Sequence, residues 1–392
     1  MGDTFTVTTR TSWFARLKDS VIGVLVGLLL LAGMVFLLFW NEGRAVQTAR
    51  SLAEGAGVVV SVTADSVDAA NDDRLVHVSG SVTTDHTPAD PTFAIAAEGL
   101  RLERRVEMYQ WQEKSQSKTE DKLGGSQETV TTYSYSKGWD DSPVDSSDFQ
   151  KPSGHENPPM EIIGQDFQVP AARLGAFELD QGIIAMIGGD KPLAIAPDRS
   201  AAIDAAFAGD KRVSVLENRI YLGSDPASPA VGDYRISYRL VPAGPASLIG
   251  RQQGDGFGTY QTEAGDELLM VEAGTASPAQ MFADAQSANN LITWVIRTAG
   301  LIFLWVGFAM IMGPLGVVAA VIPPLGKLID FGAGLVALLL AILVGTVTIG
   351  MAWFWYRPLL GAAIMAGGLA VAYGLGRLRR ARGNAPAAAP AA

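Results

Sequence analysis

The chain has 392 residues, 48% of them hydrophobic, a formal net charge of −10 and no cysteine. Residues 1–40 carry 3 basic and 2 acidic side chains, residues 41–290 carry 20 and 37, and residues 291–392 carry 7 and 1. A carboxy-terminal block with one carboxylate excludes an ordinary soluble enzyme, the acidic middle excludes a polybasic nucleic-acid binder, and the missing cysteines exclude disulfides, thiolate zinc sites and cysteine nucleophiles.

Residues 1–19 read as a cytoplasmic amino terminus. An apolar run follows over 20–40. A helix rising about 1.5 Å per residue crosses a hydrocarbon core of about 30 Å in some 20 residues. The run exceeds the roughly 7–15 residues of a secretory signal core, and Asn41-Glu42-Gly43-Arg44 follows it. It is expected to be an uncleaved anchor. Gly23 and Gly27, four residues apart, permit close helix packing and make this span a candidate for self-association.

Residues 41–276 read as a β-rich α+β domain. Strands are expected at 58–62, 75–82, 100–113, 128–139, 212–215, 219–222, 233–241, 259–263 and 267–272, with short helices at 179–187 and 199–208. Strand side chains alternate faces. One face of 100–113 therefore presents Arg101, Glu103, Arg105, Glu107, Tyr109 and Trp111. The opposite face is mostly apolar, so Arg104 on it needs a buried carboxylate partner. Tyr133, Tyr135 and Trp139 share a face of the next strand, and residues 114–127 read as a long mobile hairpin tip. The two polar–aromatic faces are a candidate interaction surface; ordinary cross-strand pairing is the competing explanation.

Ser277-Pro278-Ala279-Gln280 opens a helix over 277–297, with a capping serine and proline at the first helical position. This helix either lies in the headgroup plane or docks on the β domain. Arg297 at its end is expected to snorkel toward headgroups. Three more spans are expected, at 298–322, 331–355 and 359–375, broken by Pro323-Pro324 and by Tyr356-Arg357-Pro358. Residues 376–392 are expected to be a basic, then disordered cytoplasmic tail. Arg10, Arg16, Lys18, Lys327, Arg377, Arg379, Arg380 and Arg382 then share one side, which the positive-inside rule makes cytoplasmic. The acidic domain faces outward. The expected fold class is a multi-pass α-helical membrane protein, with four transmembrane helices and a large exoplasmic domain between the first two.

Chemistry is sparse. No histidine pair has zinc-ligand spacing, so no metal or cofactor is expected. His77 in a strand reads as structural. His155 and Glu156 form a weak candidate ligand loop. The span cores lack the ionisable groups of a coupled transporter.

The succession of motifs resembles the LUMA family, transmembrane protein 43. It is carried by Asn41-Glu42-Gly43-Arg44-Ala45, Ser51-Leu52-Ala53-Glu54-Gly55, Arg74-Leu75-Val76-His77 and the octamer Arg104-Arg105-Val106-Glu107-Met108-Tyr109-Gln110-Trp111. Tyr133-Ser134-Tyr135, Gly154-His155-Glu156-Asn157-Pro158, Val231-Gly232-Asp233, Arg251-Gln252-Gln253-Gly254-Asp255 and Tyr356-Arg357-Pro358-Leu359 extend it along nearly the whole chain. The resemblance implies one amino-terminal span, an exoplasmic domain and three carboxy-terminal spans. It also implies self-association and, in animals, organisation of nuclear-envelope proteins including emerin and lamins, from the endoplasmic reticulum and inner nuclear membrane. It supplies no catalytic residues. The alanine-rich character and Ala/Pro tail suggest a bacterial member with a periplasmic domain in the inner membrane. The functional expectation is a non-enzymatic scaffold: a lipid-bound homo-oligomer that organises other membrane or envelope proteins and binds no nucleic acid. The alternatives are a channel or channel-regulating subunit, and a lipid-modifying enzyme at the outer membrane surface.

Overall fold

A computed structural model describes residues 3–216 and 218–359, with the isolated positions 363, 366, 367 and 373 beyond them. It divides into two compact units. The β-rich unit comprises Met1–Arg10, Ser51–Glu120 and Gln127–Ala285; the helical unit comprises Thr11–Arg50, Asp121–Ser126 and Gln286–Ala392.

In chain order the first elements are β1 (Thr4–Thr11), α1 (Trp13–Val58), β2 (Val60–Thr63), β3 (Leu75–Thr83), β4 (Arg101–Asp121) and β5 (Gln127–Asp140). Then come β6 (Gln165–Gln168), β7 (Ala172–Leu174), β8 (Phe177–Leu179), α2 (Gln181–Met186), α3 (Ser200–Ala206), β9 (Val213–Leu216) and β10 (Arg219–Leu222). The chain continues through β11 (Tyr234–Val241), β12 (Pro245–Gln253), β13 (Gly256–Gly258), β14 (Met270–Ala273), α4 (Pro278–Ala319) and α5 (Pro323–Tyr356).

Within the β-rich unit, one sheet runs β1-β5-β4-β11-β10-β9, with β6 on β4 and Lys191–Pro192 on β11. The other runs β8-β7-β3-β12-β13, with β14 on β12 and β2 parallel to β3. The strand β4 alternates as its sequence demands: Leu102, Arg104, Val106, Met108 and Gln110 are buried, while the residues between them are half-buried or exposed. Its apolar face joins Ile220, Ile236 and Tyr238 in one core. A second core gathers Val76, Val78, Leu174, Phe177, Ile184 and Leu248. The short helix α2 closes that core, its start fixed by Asp180, whose carboxylate accepts from the Ile183 amide at 2.8 Å.

Several expectations change. The strands of the β4–β5 hairpin run to Asp121 and Gln127, so residues 114–127 are not a long mobile tip. Hydroxyl pairs across the strands, Ser117–Thr131 at 2.9 Å and Thr119–Thr129 at 3.0 Å, hold this polar stretch extended. Strand β12 was not anticipated, yet it bonds to β3, β13 and β14. Residues 1–19, expected as a cytoplasmic amino terminus, supply β1 and the start of α1. Tyr135 N donates to Asp3 O at 3.1 Å, and Arg10 pairs with Glu128 at 2.8 Å, so β1 is antiparallel to β5.

The helix expected over 277–297 is the first half of α4. Ser277 caps it, accepting from the Gln280 amide at 3.3 Å. Met281 and Phe282 are buried with Leu52, Leu75, Ile249 and Leu268. The first turns of the helix, through Met281, Phe282 and Ala285, pack on the β-rich unit's core.

Among the described residues, α1, α4 and α5 are long and apolar enough to cross a membrane. Within the helical unit, Leu38, Leu304 and Ala341 form a central cluster. Pro323 and Pro324 open α5, so Lys327 lies inside that helix and not in a loop. The turn between β4 and β5 belongs to this unit: Arg16 donates to Gly125 O at 2.7 Å and pairs with Asp121 at 3.2 Å. The expected fourth span at 359–375 and the tail lie outside the described residues, apart from the isolated positions.

Candidate interaction surface

The alternation of β4 and the antiparallel pairing of β11 decide where its outward side chains go. The register sets Arg235 opposite Glu107 and Arg239 opposite Glu103. Arg235 grips Glu107 with two hydrogen bonds, at 2.5 and 2.6 Å, and its guanidinium lies 4.7 Å from the Trp139 ring centroid. Glu103 instead accepts from Arg105 at 2.7 Å, and Arg239 pairs with Asp190. That contact holds the half-buried Asp190 carboxyl below its ordinary range. Arg101 donates to Ala185 O at 2.7 Å.

Further along, Tyr109 packs on Trp139 with centroids 5.2 Å apart, and Lys137 sits over Trp111 at 4.6 Å. Tyr135 is buried, donates to Glu113 at 2.7 Å and stacks on His155 at 4.0 Å. Burial first, then the Glu113 carboxylate, pushes the Tyr135 hydroxyl up to about 12. Tyr133 is half-buried. The alternating-sign ladder and the aromatic face are therefore brought together, but largely by pairing across the sheet.

What remains open is a recess of about 850 Å³ beside the middle of β4. Glu103, Arg105, Glu107, Asp141, Gln165 and Asp166 line it. Asp141, Arg105 and Asp166 are exposed. Sequence reasoning did not single out Asp141 or Asp166. Both lie in irregular or short segments without periodicity, and only the fold carries them to β4.

Arg104 has the carboxylate its buried position requires. It pairs with the fully buried Asp90 at 2.7 Å, and donates to Ile163 O and to Gln165 Oε1. Tyr238 also donates to Asp90, at 2.6 Å. Burial and that carboxylate push the Tyr238 hydroxyl far up.

The candidate loop at His155 and Glu156 does not converge on a ligand. His155 is 2% exposed, wedged between Tyr135 and Trp111. Its Nδ1 faces Lys151 O at 2.9 Å, and its Nε2 faces Asp3 at 3.1 Å. Glu156 turns back onto its own loop, where the Gly154 amide holds its carboxyl below the usual range. No cluster that could hold a metal occurs among the described residues. His77 donates from Nε2 to Ala276 O at 2.9 Å in a buried site, as a structural histidine does.

In the helical unit, Gly27 is committed within the chain. A Cβ there would stand 2.7 Å from Gly307 O and 3.1 Å from Ile311, while one at Gly23 would only touch Met310 at 4.0 Å. Arg297 does not snorkel freely. It bonds Glu42 twice, at 2.6 and 2.7 Å, and Trp353 Nε1 donates to the same carboxylate at 2.8 Å.

Residues 108–358 match the family model described as Transmembrane protein 43. Transmembrane protein 43 of Mus musculus is 33% identical over 369 residues, covering 91% of this chain and 90% of its own length. The Homo sapiens protein of that name is 31% identical, covering 92% and 91%. The Drosophila melanogaster homologue is 29% identical, covering 84% and 88%. No solved structure matches. With the family model spanning most of the chain and the mammalian relatives aligned along nearly all of it, the chain belongs to the transmembrane protein 43 family.

Proposed function

We propose that the protein is a non-enzymatic membrane scaffold that self-associates and gathers other membrane or envelope proteins through its β-rich unit. The observation that carries this reading is the open, charged recess beside β4. Small-molecule sites are concave and mostly apolar, whereas a shallow polar recess suits a macromolecular partner. Glu103, Glu107, Asp141 and Asp166 outnumber Arg104 and Arg105 along it, so the partner surface is basic. A partner bound there meets charges already held in place by cross-strand pairs.

The apolar helices anchor the chain, and the apolar composition of residues 359–375 supports a fourth span. The acidic charge of 41–290 and the basic residues Lys327 and Arg377–Arg382 support an outward-facing β-rich unit. A bacterial inner membrane, or the endoplasmic reticulum and inner nuclear membrane that the family resemblance implies, both give that orientation.

The test is cross-linking in native membranes followed by mass spectrometry. The double substitution Asp141→Lys with Asp166→Lys reverses charge at two exposed positions and leaves the Glu107–Arg235 pair alone. It should remove the partner cross-links of the wild-type chain while circular dichroism stays unchanged. Retained cross-links in the folded variant would remove the recess from this role.

A further inference from the structure

We propose that the helical unit holds the phosphate of an anionic phospholipid in a cleft formed by α1, α4 and α5 near Arg357. The cleft is about 180 Å³ and is lined by Glu42, Thr293, Trp294, Arg297, Trp353 and Arg357, among others.

Its charge balance favours an anion. Both Glu42 oxygens are engaged: Oε1 by Arg297 Nε, Oε2 by Arg297 Nη2 and the Trp353 indole. That carboxylate is therefore compensated inside the cleft. Arg357 is not. Its guanidinium lies 5.9 Å from the Trp353 ring centroid, and among the described residues no carboxylate pairs with it. Arg44 adds positive charge behind the wall, donating to Thr293 at 3.0 Å and to Asn289 at 3.0 Å, with a buried Nε that has no partner. Arg50 donates to Tyr356 O at 3.0 Å nearby. Arg297 and Arg357 thus line the cleft, and Arg44 and Arg50 lie beside its wall at Thr293 and Tyr356. A planar guanidinium matches phosphate oxygens two at a time.

The surroundings select a lipid over free phosphate. Trp294 is exposed on α4 and Trp355 on α5, and amphipathic rings of this kind settle at headgroup level. Leu291 and Val295 on α4 and Phe354 on α5 are also exposed. An amphiphile whose phosphate enters the cleft can lay its acyl chains along these apolar side chains. Free phosphate gains nothing from them.

The experiment uses the full chain, delipidated in detergent, with a fluorescent phosphatidylglycerol as the probe. Unlabelled phosphatidylglycerol, phosphatidylcholine and inorganic phosphate serve as competitors. Phosphatidylglycerol should displace the probe at much lower concentration than phosphatidylcholine, and inorganic phosphate should fail to displace it. Arg357→Gln should weaken phosphatidylglycerol binding about tenfold, the loss of a charge-assisted contact, and leave phosphatidylcholine unaffected. Trp353→Phe keeps an aromatic ring but removes one of the two donors to Glu42 Oε2, leaving the carboxylate less compensated, and should weaken the anionic lipid in the same direction. The proposal is overturned if Arg357→Gln binds like wild type, if the two lipids compete equally, or if inorganic phosphate displaces the probe as well as lipid does. This readout is independent of any protein partner at the β-rich unit.

Discussion

At the scale of single residues, burial decides which charges are structural. Arg104 and Asp90 are both almost fully buried, and each guanidinium edge and carboxylate oxygen finds a partner. Removing one member of such a pair leaves an uncompensated buried charge, costing about 3–5 kcal/mol. The need for a carboxylate was legible from the strand pattern, because the period of two puts Arg104 among apolar neighbours. Its identity was not, since Asp90 lies in a two-residue ladder too short to carry a pattern. His77 gives a prediction at this scale. Burial holds its imidazole below the ordinary 6.5, outweighing the Ala276 carbonyl. The unfolded chain therefore takes up a proton first as pH falls below 6.5, and the native state loses stability through the lowered value. Thermal melts between pH 7 and 5 should fall more steeply for wild type than for His77→Gln, whose amide can still donate to Ala276 O. Parallel slopes would show that His77 does not titrate in this range.

At the scale of elements, pattern carried far where one face is buried and the other wet. Strands β4 and β11 and the start of α4 follow their sequence periods. The central strand β12 escaped detection because its residues from Ala246 to Gly250 are buried in succession, and Ser247 and Gly250 interrupt the apolar run. A strand buried on both faces gives no alternation to read. The hairpin of β4 and β5 escaped in its outer half for the opposite reason: it is polar on both faces. The glycines of α1 show what a motif can and cannot specify. The spacing of Gly23 and Gly27 signals a close helix approach, but not which helix approaches, and here Gly27 faces Gly307 of α4. Gly27→Ala puts a Cβ 2.7 Å from a backbone oxygen that cannot swing away. It should destabilise the detergent-solubilised chain by about 1–3 kcal/mol, as overpacking does, seen as a lower melting temperature. Gly33→Ala, with nothing within 4 Å of the new Cβ, should melt close to wild type. Equal melting temperatures for the two variants would argue against the α1–α4 crossing.

At the scale of the whole molecule, charge and strand pairing make separate demands on the amino terminus. The positive-inside rule gathers Arg10, Arg16 and Lys18 on the cytoplasmic side. The pairing of β1 with β5 asks that residues 4–11 share the compartment of the β-rich unit, because ladder hydrogen bonds cannot form across a bilayer. Docking is reinforced just before β1, where Asp3 meets Lys151 at 3.0 Å and His155 at 3.1 Å. The lysine chiefly, then the histidine, keeps the Asp3 carboxyl below its ordinary 3.8. That contribution is present above pH 3.8 and disappears as pH falls through the lowered value. The charge rule sees only the flanks of spans, so it had no access to a strand assembled across more than a hundred residues. The chain's lack of cysteine makes the pairing directly measurable. The bonds at Asp3–Tyr135 and Arg10–Glu128 set Thr6 opposite Thr132 in a non-hydrogen-bonded pair, where Cα atoms lie about 4.5 Å apart. Thr6→Cys with Thr132→Cys should therefore form a disulfide in native membranes under mild oxidation, seen as a reducible mobility shift on gels. Thr6→Cys with Thr119→Cys, out of register, should not. If neither pair cross-links and the Thr6→Cys variant reacts with maleimide only from the cytoplasmic face, β1 is not paired in the membrane and the charge rule governs this segment after all.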